Sequence, residues 1–146
     1  MAVEAVRIFA KAYLCRNGLD HARTRDALAS ANPGALVQAV KPTTARNGKF
    51  IEMIAAQTLL ADASGSLLAK RLEIDFILRL AGTTQISEAI RDQGVKPGAP
   101  FMVVVASRAP IKGTRSLAKS ELPVRELSFA DLGRVEKAAL LSAKRA

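Results

Sequence analysis

Phe101 to Ala106 is an unbroken apolar run, Phe-Met-Val-Val-Val-Ala, entered through the turn-rich segment Val95-Lys96-Pro97-Gly98-Ala99-Pro100. A run without alternation has no face to give to water, and its valines favour extended backbone. It therefore predicts a central strand buried on both sides. Such a strand needs covering elements on either side, and the chain can supply them. Its 146 residues are 49% hydrophobic and 24% charged, enough for one domain, residues 1–146, with a single core.

The flanking segments read as strands and helices in alternation. Ala2 to Leu14 mixes β-branched and aromatic residues with Arg7 and Lys11 and meets the turn signal Arg16-Asn17-Gly18, predicting a first strand. Asp20 is placed to cap a helix to about Ala31, stopped by Asn32-Pro33-Gly34, and Ala35 to Val40 reads as a second strand ended by Pro42. After Asn47-Gly48, Phe50, Ile51, Ile54, Ala55, Thr58 and Leu59 recur at helical spacing to about Ala63, where Ser64-Gly65-Ser66 breaks the helix. A helical turn is expected from Ser66 to Arg71.

In Glu73 to Leu80, Ile74, Phe76, Leu78 and Leu80 alternate with Glu73, Asp75, Ile77 and Arg79, the period of a strand. Gly82 ends it, Thr83 and Thr84 are capping candidates, and Ile86, Ala89 and Ile90 mark a helix to about Gly94. Ser107 to Ser120 is basic and weakly patterned, and Leu122 to Leu127 reads as an edge strand demoted by Pro123. Ser128 is placed to cap a final helix carrying Leu132, Val135, Ala139 and Leu140 on one side and Lys144-Arg145 at its end. The expected architecture is α+β: one mixed domain with a small central sheet of four to five strands flanked by helices.

Charge and composition narrow the chemistry. The net charge of +9 makes a polyanion the first partner to consider, without separating RNA from DNA or an anionic membrane. Aromatic residues are only 4% of the chain, so an RNA partner would be held through phosphates, 2′-hydroxyls and backbone rather than by stacking. Cys15 is the single cysteine, which excludes an internal disulfide and fits a reducing cytosol. No apolar stretch approaches the roughly 18 residues of a membrane span, and Glu4, Arg7 and Lys11 interrupt the start of the chain, so a soluble, unexported protein is expected.

Catalytic groups are sparse. His21 is the one histidine and reads as an exposed first-turn residue; Cys15 reads as a small packed side chain. Glu73 and Asp75 fall on one strand face, more in keeping with a solvated edge than with acid-base chemistry, and neither a metal-ligand cluster nor a nucleotide-binding motif is present. The segment from Gly82 to Ile86 stands out instead. A turn into a helix offers backbone N–H groups and the positive end of the helix dipole to a phosphate, although plain capping by Thr83 or Thr84 needs the same residues.

The run from Ala69 to Ile90, Ala-Lys-Arg-Leu-Glu-Ile-Asp-Phe-Ile-Leu-Arg-Leu-Ala-Gly-Thr-Thr-Gln-Ile-Ser-Glu-Ala-Ile, resembles the central signature of the PRPK-binding-protein family, the small subunit of the archaeal and eukaryotic KEOPS complex. The likeness extends over about Lys49 to Ser107. It implies a cofactor-free subunit without catalysis of its own. Such a subunit binds the kinase-like ATPase of the complex and grips the 3′ CCA end of tRNA. It delivers the tRNA to the subunit that installs threonylcarbamoyl on the adenosine beside the anticodon. Carried onto this chain, Gly82, Thr83, Thr84, Gln85 and Ile86 become the nucleotide-contacting turn, with Lys70, Arg71 and Arg79 as phosphate partners. Thr84 stands where the signature has Arg, so one bidentate phosphate donor is missing, with Arg79, Arg91 or Lys70 as possible compensation. The family docks its kinase-like partner through helices, which directs attention to Leu132, Val135, Ala139 and Leu140. A cytoplasmic, archaeal protein is expected. The rival readings are a small enzyme acting through Glu73, Asp75 or His21, and a basic RNA- or DNA-binding protein outside KEOPS.

Overall fold

The apolar run from 101 to 106 is the axis of the fold. In the computed structural model, which describes residues 7–16, 19–42, 47–124 and 126–145, it forms β3 (Phe101–Ser107), the middle strand of an antiparallel sheet and buried along its length. β1 (Phe9–Cys15) pairs with it on one side, Tyr13 opposite Val103, and β2 (Leu36–Val40) on the other, Gln38 opposite Val104. Side chains alternate across the pleat, so the sheet feeds two cores. Ala12, Leu36, Met102 and Val104 face α2 (Gly48–Ser64) and α3 (Leu72–Ala81), whereas Tyr13, Val37, Val103 and Val105 face α1 (His21–Ala31) and a 3-10 helix (Arg115–Ser120). α4 (Ile86–Gln93) packs on α3, and α5 (Phe129–Arg145) lies across α2 and α3 as an outer layer.

Asp20 and Ser128 cap their helices as expected, whereas α4 has Gln85, not Thr83 or Thr84, at its N-cap. Asp20 accepts from the Ala22 and Arg23 amides, Asn47 from that of Lys49, and Ser128 from that of Asp131. Each satisfies an amide that has no carbonyl one turn back, which fixes where its helix starts. The strand read from Ala2 to Leu14 is present as β1 from Phe9 onward; residues 2–6 of that reading and the turn at Asn17-Gly18 lie outside the described residues, as do the Lys144 and Arg145 side chains.

The segment Glu73 to Leu80 is a helix, α3, and not the strand that its alternation suggests. Residues Asp75 through Leu80 are all buried, so polar positions do not mark a solvent face and the two-residue pattern carries no information about the period. Asp75 and Arg79 lie one helical turn apart and satisfy each other inside the protein. Arg79 Nε donates to Asp75 Oδ1 at 2.7 Å and Nη2 to Oδ2 at 3.2 Å. A run of eight residues fits either period, and here the helical one is selected by that pairing.

With α3 a helix, the sheet has three strands among the described residues rather than four to five. Leu122 to Leu127 adds no strand either: a single bridge joins Tyr13 to Glu121, and Pro123 has no N–H with which to continue it. Ser66 to Arg71 is a series of bends, not the expected helical turn. Its course is set by Asp75, whose Oδ2 accepts the Leu68 amide at 2.9 Å.

Arg79→Met should lower the unfolding free energy by about 3–5 kcal/mol, because it leaves the Asp75 carboxylate buried without its counter-charge. Urea denaturation of the variant and the parent measures this.

Candidate nucleic-acid and partner-binding surfaces

α3 ends because Gly82 turns left-handed, at φ 73°, with its amide on the Leu78 carbonyl at 2.8 Å and that of Thr83 on the same oxygen at 3.1 Å. Thr83 then holds the turn: its Oγ1 accepts from the Gln85 amide at 3.1 Å and lies 3.4 Å from Glu88 Oε2. Gln85 is the N-cap of α4 and makes no side-chain capping bond, so the first amides of α4 face outward uncapped by it, at the positive end of the helix dipole. Thr84, Gln85 and Ile86 are exposed beside them. Glu88 stands in the same first turn and opposes an anion there.

A cation not anticipated from the sequence, Lys137, reaches this turn. A Cβ built on Gly82 would lie 3.2 Å from Lys137 Cε and 3.4 Å from Lys137 Nζ, so the Lys137 stem crosses directly over the glycine and sets its ammonium beside the turn. Nothing local to Lys137 in the sequence signals this. The contact exists because α5 docks on α3, a tertiary event without a short-range pattern.

The remaining basic residues divide. Lys70 and Arg71 are exposed, with Arg71 at the N-cap of α3 and 3.6 Å from Glu73. They stand at the opposite end of α3 from Gly82, about 15 Å away for ten residues at about 1.5 Å each, so they join the turn only through a ligand long enough to span both. Arg91 is exposed near the end of α4, beside Asp92 at 3.4 Å. Arg79 is not a surface residue. It is 3% exposed, and beyond its two bonds to Asp75 it donates to the Ala138 carbonyl and to Ser142 Oγ, both at 3.3 Å. Its donors are used within the fold, so it is withdrawn from the phosphate partners and from the compensation for Thr84.

α5 divides its apolar residues by face. Val135, Ala138 and Leu141 pack on the core, while Arg134 lays its guanidinium 4.2 Å from the Phe50 ring centroid. Leu132, Ala139 and Leu140 are exposed, and Phe129, 94% exposed, joins Leu132 and Leu140 on the outer side. Val135 thus belongs to the core, and Phe129 takes its place in the outward stripe. Phe129, Leu132 and Leu140 face solvent on one side of α5, with the exposed Glu136 between the two leucines, and no described residue covers them.

The groups considered for catalysis are differently placed. Asp75 is fully buried and committed to Arg79, Thr58 Oγ1 at 2.6 Å and the Leu68 amide. His21 is half-buried rather than exposed, its ring edge-on to Phe101 at 6.0 Å between centroids. Cys15 is buried and free, and burial pushes its thiol up, away from the reactive thiolate. Among the described residues no helix is long and apolar enough to cross a membrane. Compared with known proteins, the chain matches no family model, and no curated protein is significantly similar to it.

Gly82→Ala should cost about 1–2 kcal/mol, since alanine is strained at this backbone angle and its methyl meets the Lys137 stem. Thermal unfolding gives the cost. A structure of the variant should show the Lys137 ammonium displaced from the turn.

Proposed function

We propose that this chain is a non-catalytic adaptor of the KEOPS complex, working in the cytoplasm. In this reading it recruits tRNA by the 3′ CCA end through the α3–α4 turn and binds the kinase-like ATPase subunit through α5. The tRNA is thereby presented for N6-threonylcarbamoylation of the adenosine next to the anticodon. The observation that carries the reading is the convergence of the uncapped start of α4, the exposed residues Thr84 to Ile86 and the Lys137 ammonium at one turn, within the very segment that resembles the family signature. The net charge of +9 favours a polyanion at that surface. Lys137 offers a cation where Thr84 has removed the signature arginine, as a point charge rather than a bidentate fork. Lys70 and Arg71, one helix length away, serve phosphates further along the same strand.

The test is binding of intact tRNA, and of the same tRNA lacking its CCA end, across a salt series. Intact tRNA should bind more tightly, and Lys137→Glu should abolish that preference and reduce the slope of log K against log salt by about 0.7–0.9, one phosphate contact. Equal binding of both RNAs, or equal binding of duplex DNA, would favour a general basic nucleic-acid-binding protein outside KEOPS. The high charge alone would support that second reading.

The protein contact is tested separately. Phe129→Asp with Leu132→Asp, both on the outer side of α5, should weaken binding of the kinase-like subunit at least tenfold while leaving tRNA affinity and the melting temperature unchanged. Titration calorimetry with the purified subunit measures it.

A further inference from the structure

The two edges of the sheet are finished differently. On β2 the outward amides toward its C-terminal end are occupied: Gln38 Oε1 accepts the Ala39 amide at 3.0 Å, and the Gln93 carbonyl accepts that of Lys41 at 2.9 Å. On β1 only the C-terminal half is covered, where the Leu122 amide donates to the Ala12 carbonyl at 2.8 Å beside the Tyr13–Glu121 bridge. Because the backbone alternates with a period of two, Ala10 turns its N–H and C=O to the same side as Ala12, away from β3. No described residue pairs with Ala10 there.

A groove of about 580 Å³ lies along this open half. Glu52, Met53 and Ala56 of α2 form one wall, Pro110 and Ile111 the other, with β1 as the floor. The walls stand on opposite faces of the sheet, so the space between them is where a neighbouring strand would run, with apolar ground on both sides. Unpaired edge amides invite strand addition, and proteins mask them where it is not wanted, as β2 does.

We propose that the open half of β1 takes an extended segment of a partner protein as a fourth strand, apolar in its middle and carrying a carboxylate at its end. Main-chain bonds to Ala10 supply the pairing, and alternate side chains enter the two walls. The charge of the site selects the partner. Lys49 and Lys11 line the groove. Lys11 is bonded to Glu121 at 3.0 Å in a half-exposed pair that an incoming carboxylate can replace. Glu52 also lines the groove, so the carboxylate is placed at the end of the segment beside Lys11 and Lys49 rather than in its middle. A second copy of this chain, also at +9, would be repelled.

The probe is a fluorescent, end-blocked peptide of four alternating Val and Ile residues flanked by Asp, and a copy with alternate backbone nitrogens methylated. Ala10→Pro removes only the outward N–H and leaves the ladder to β3 intact. It should weaken the peptide at least tenfold by fluorescence anisotropy with the circular dichroism unchanged. Met53→Asp and Ile111→Asp, each on one wall, should do the same by rejecting the apolar side chains, and they decide the matter if the proline variant does not fold. The methylated peptide should not bind. Failure of the plain peptide to bind, equal binding of the methylated one, or undiminished binding by the wall variants overturns the proposal. So does a concentration-dependent dimer in sedimentation that the wall variants abolish, because the groove would then belong to a second copy.

Discussion

The buried pair of Asp75 and Arg79 organises the layers outside the sheet. One carboxylate accepts from Thr58 of α2, from the Leu68 amide and twice from Arg79, and the arginine reaches on to Ala138 and Ser142 of α5. Two ions with every bond satisfied are tolerated inside a protein, but they add little net stability compared with apolar packing. What they impose is register. α5 meets α2 and α3 largely through Val135, Ala138 and Leu141, contacts that tolerate sliding, whereas a guanidinium bonded to one carbonyl does not. The position of Lys137 follows from this, since the bonded carbonyl belongs to the next residue. A residue buried in the core thereby places a charge on the surface.

Where local chemistry decides, the sequence is readable. Asp20, Asn47 and Ser128 cap helices because their side chains bond amides two or three residues away, and β3 is central because an apolar run has no other place. Reading failed at α3 for a physical reason. Hydrophobic periodicity reports a boundary between oil and water, and α3 has almost none from Asp75 onward: Asp75 and Arg79 are inside, paired with each other. The single extra clue was the four-residue spacing of Asp75 and Arg79, a favourable helical pair that has no counterpart along one strand. The resemblance made Arg79 a phosphate partner, and a strand, on which it would share the mixed face with Glu73, gave no reason to withdraw it.

The α3–α4 turn was legible from Gly82 and Thr83, because a left-handed backbone and a hydroxyl bonded to the amide two residues on are local requirements, although neither threonine caps α4. Lys137 was not, because its role depends on two helices meeting from opposite ends of the chain. α5 shows the same limit in milder form. Its apolar residues were visible, but which of them face the core depends on the rotation that Arg79 and Arg134 impose. Val135 and Phe129 exchange roles on that account.

Gln38 gives the sheet a direction of growth. A sheet free at both margins can receive a strand on one side and donate on the other, which is the condition for an indefinitely repeating assembly. Here the β2 margin is stopped by a side chain folded onto the neighbouring amide, so whatever is added at β1 becomes the last strand. In that arrangement the molecule would close a ladder of strands rather than extend it, which keeps a chain with a wholly apolar central strand from propagating its own sheet.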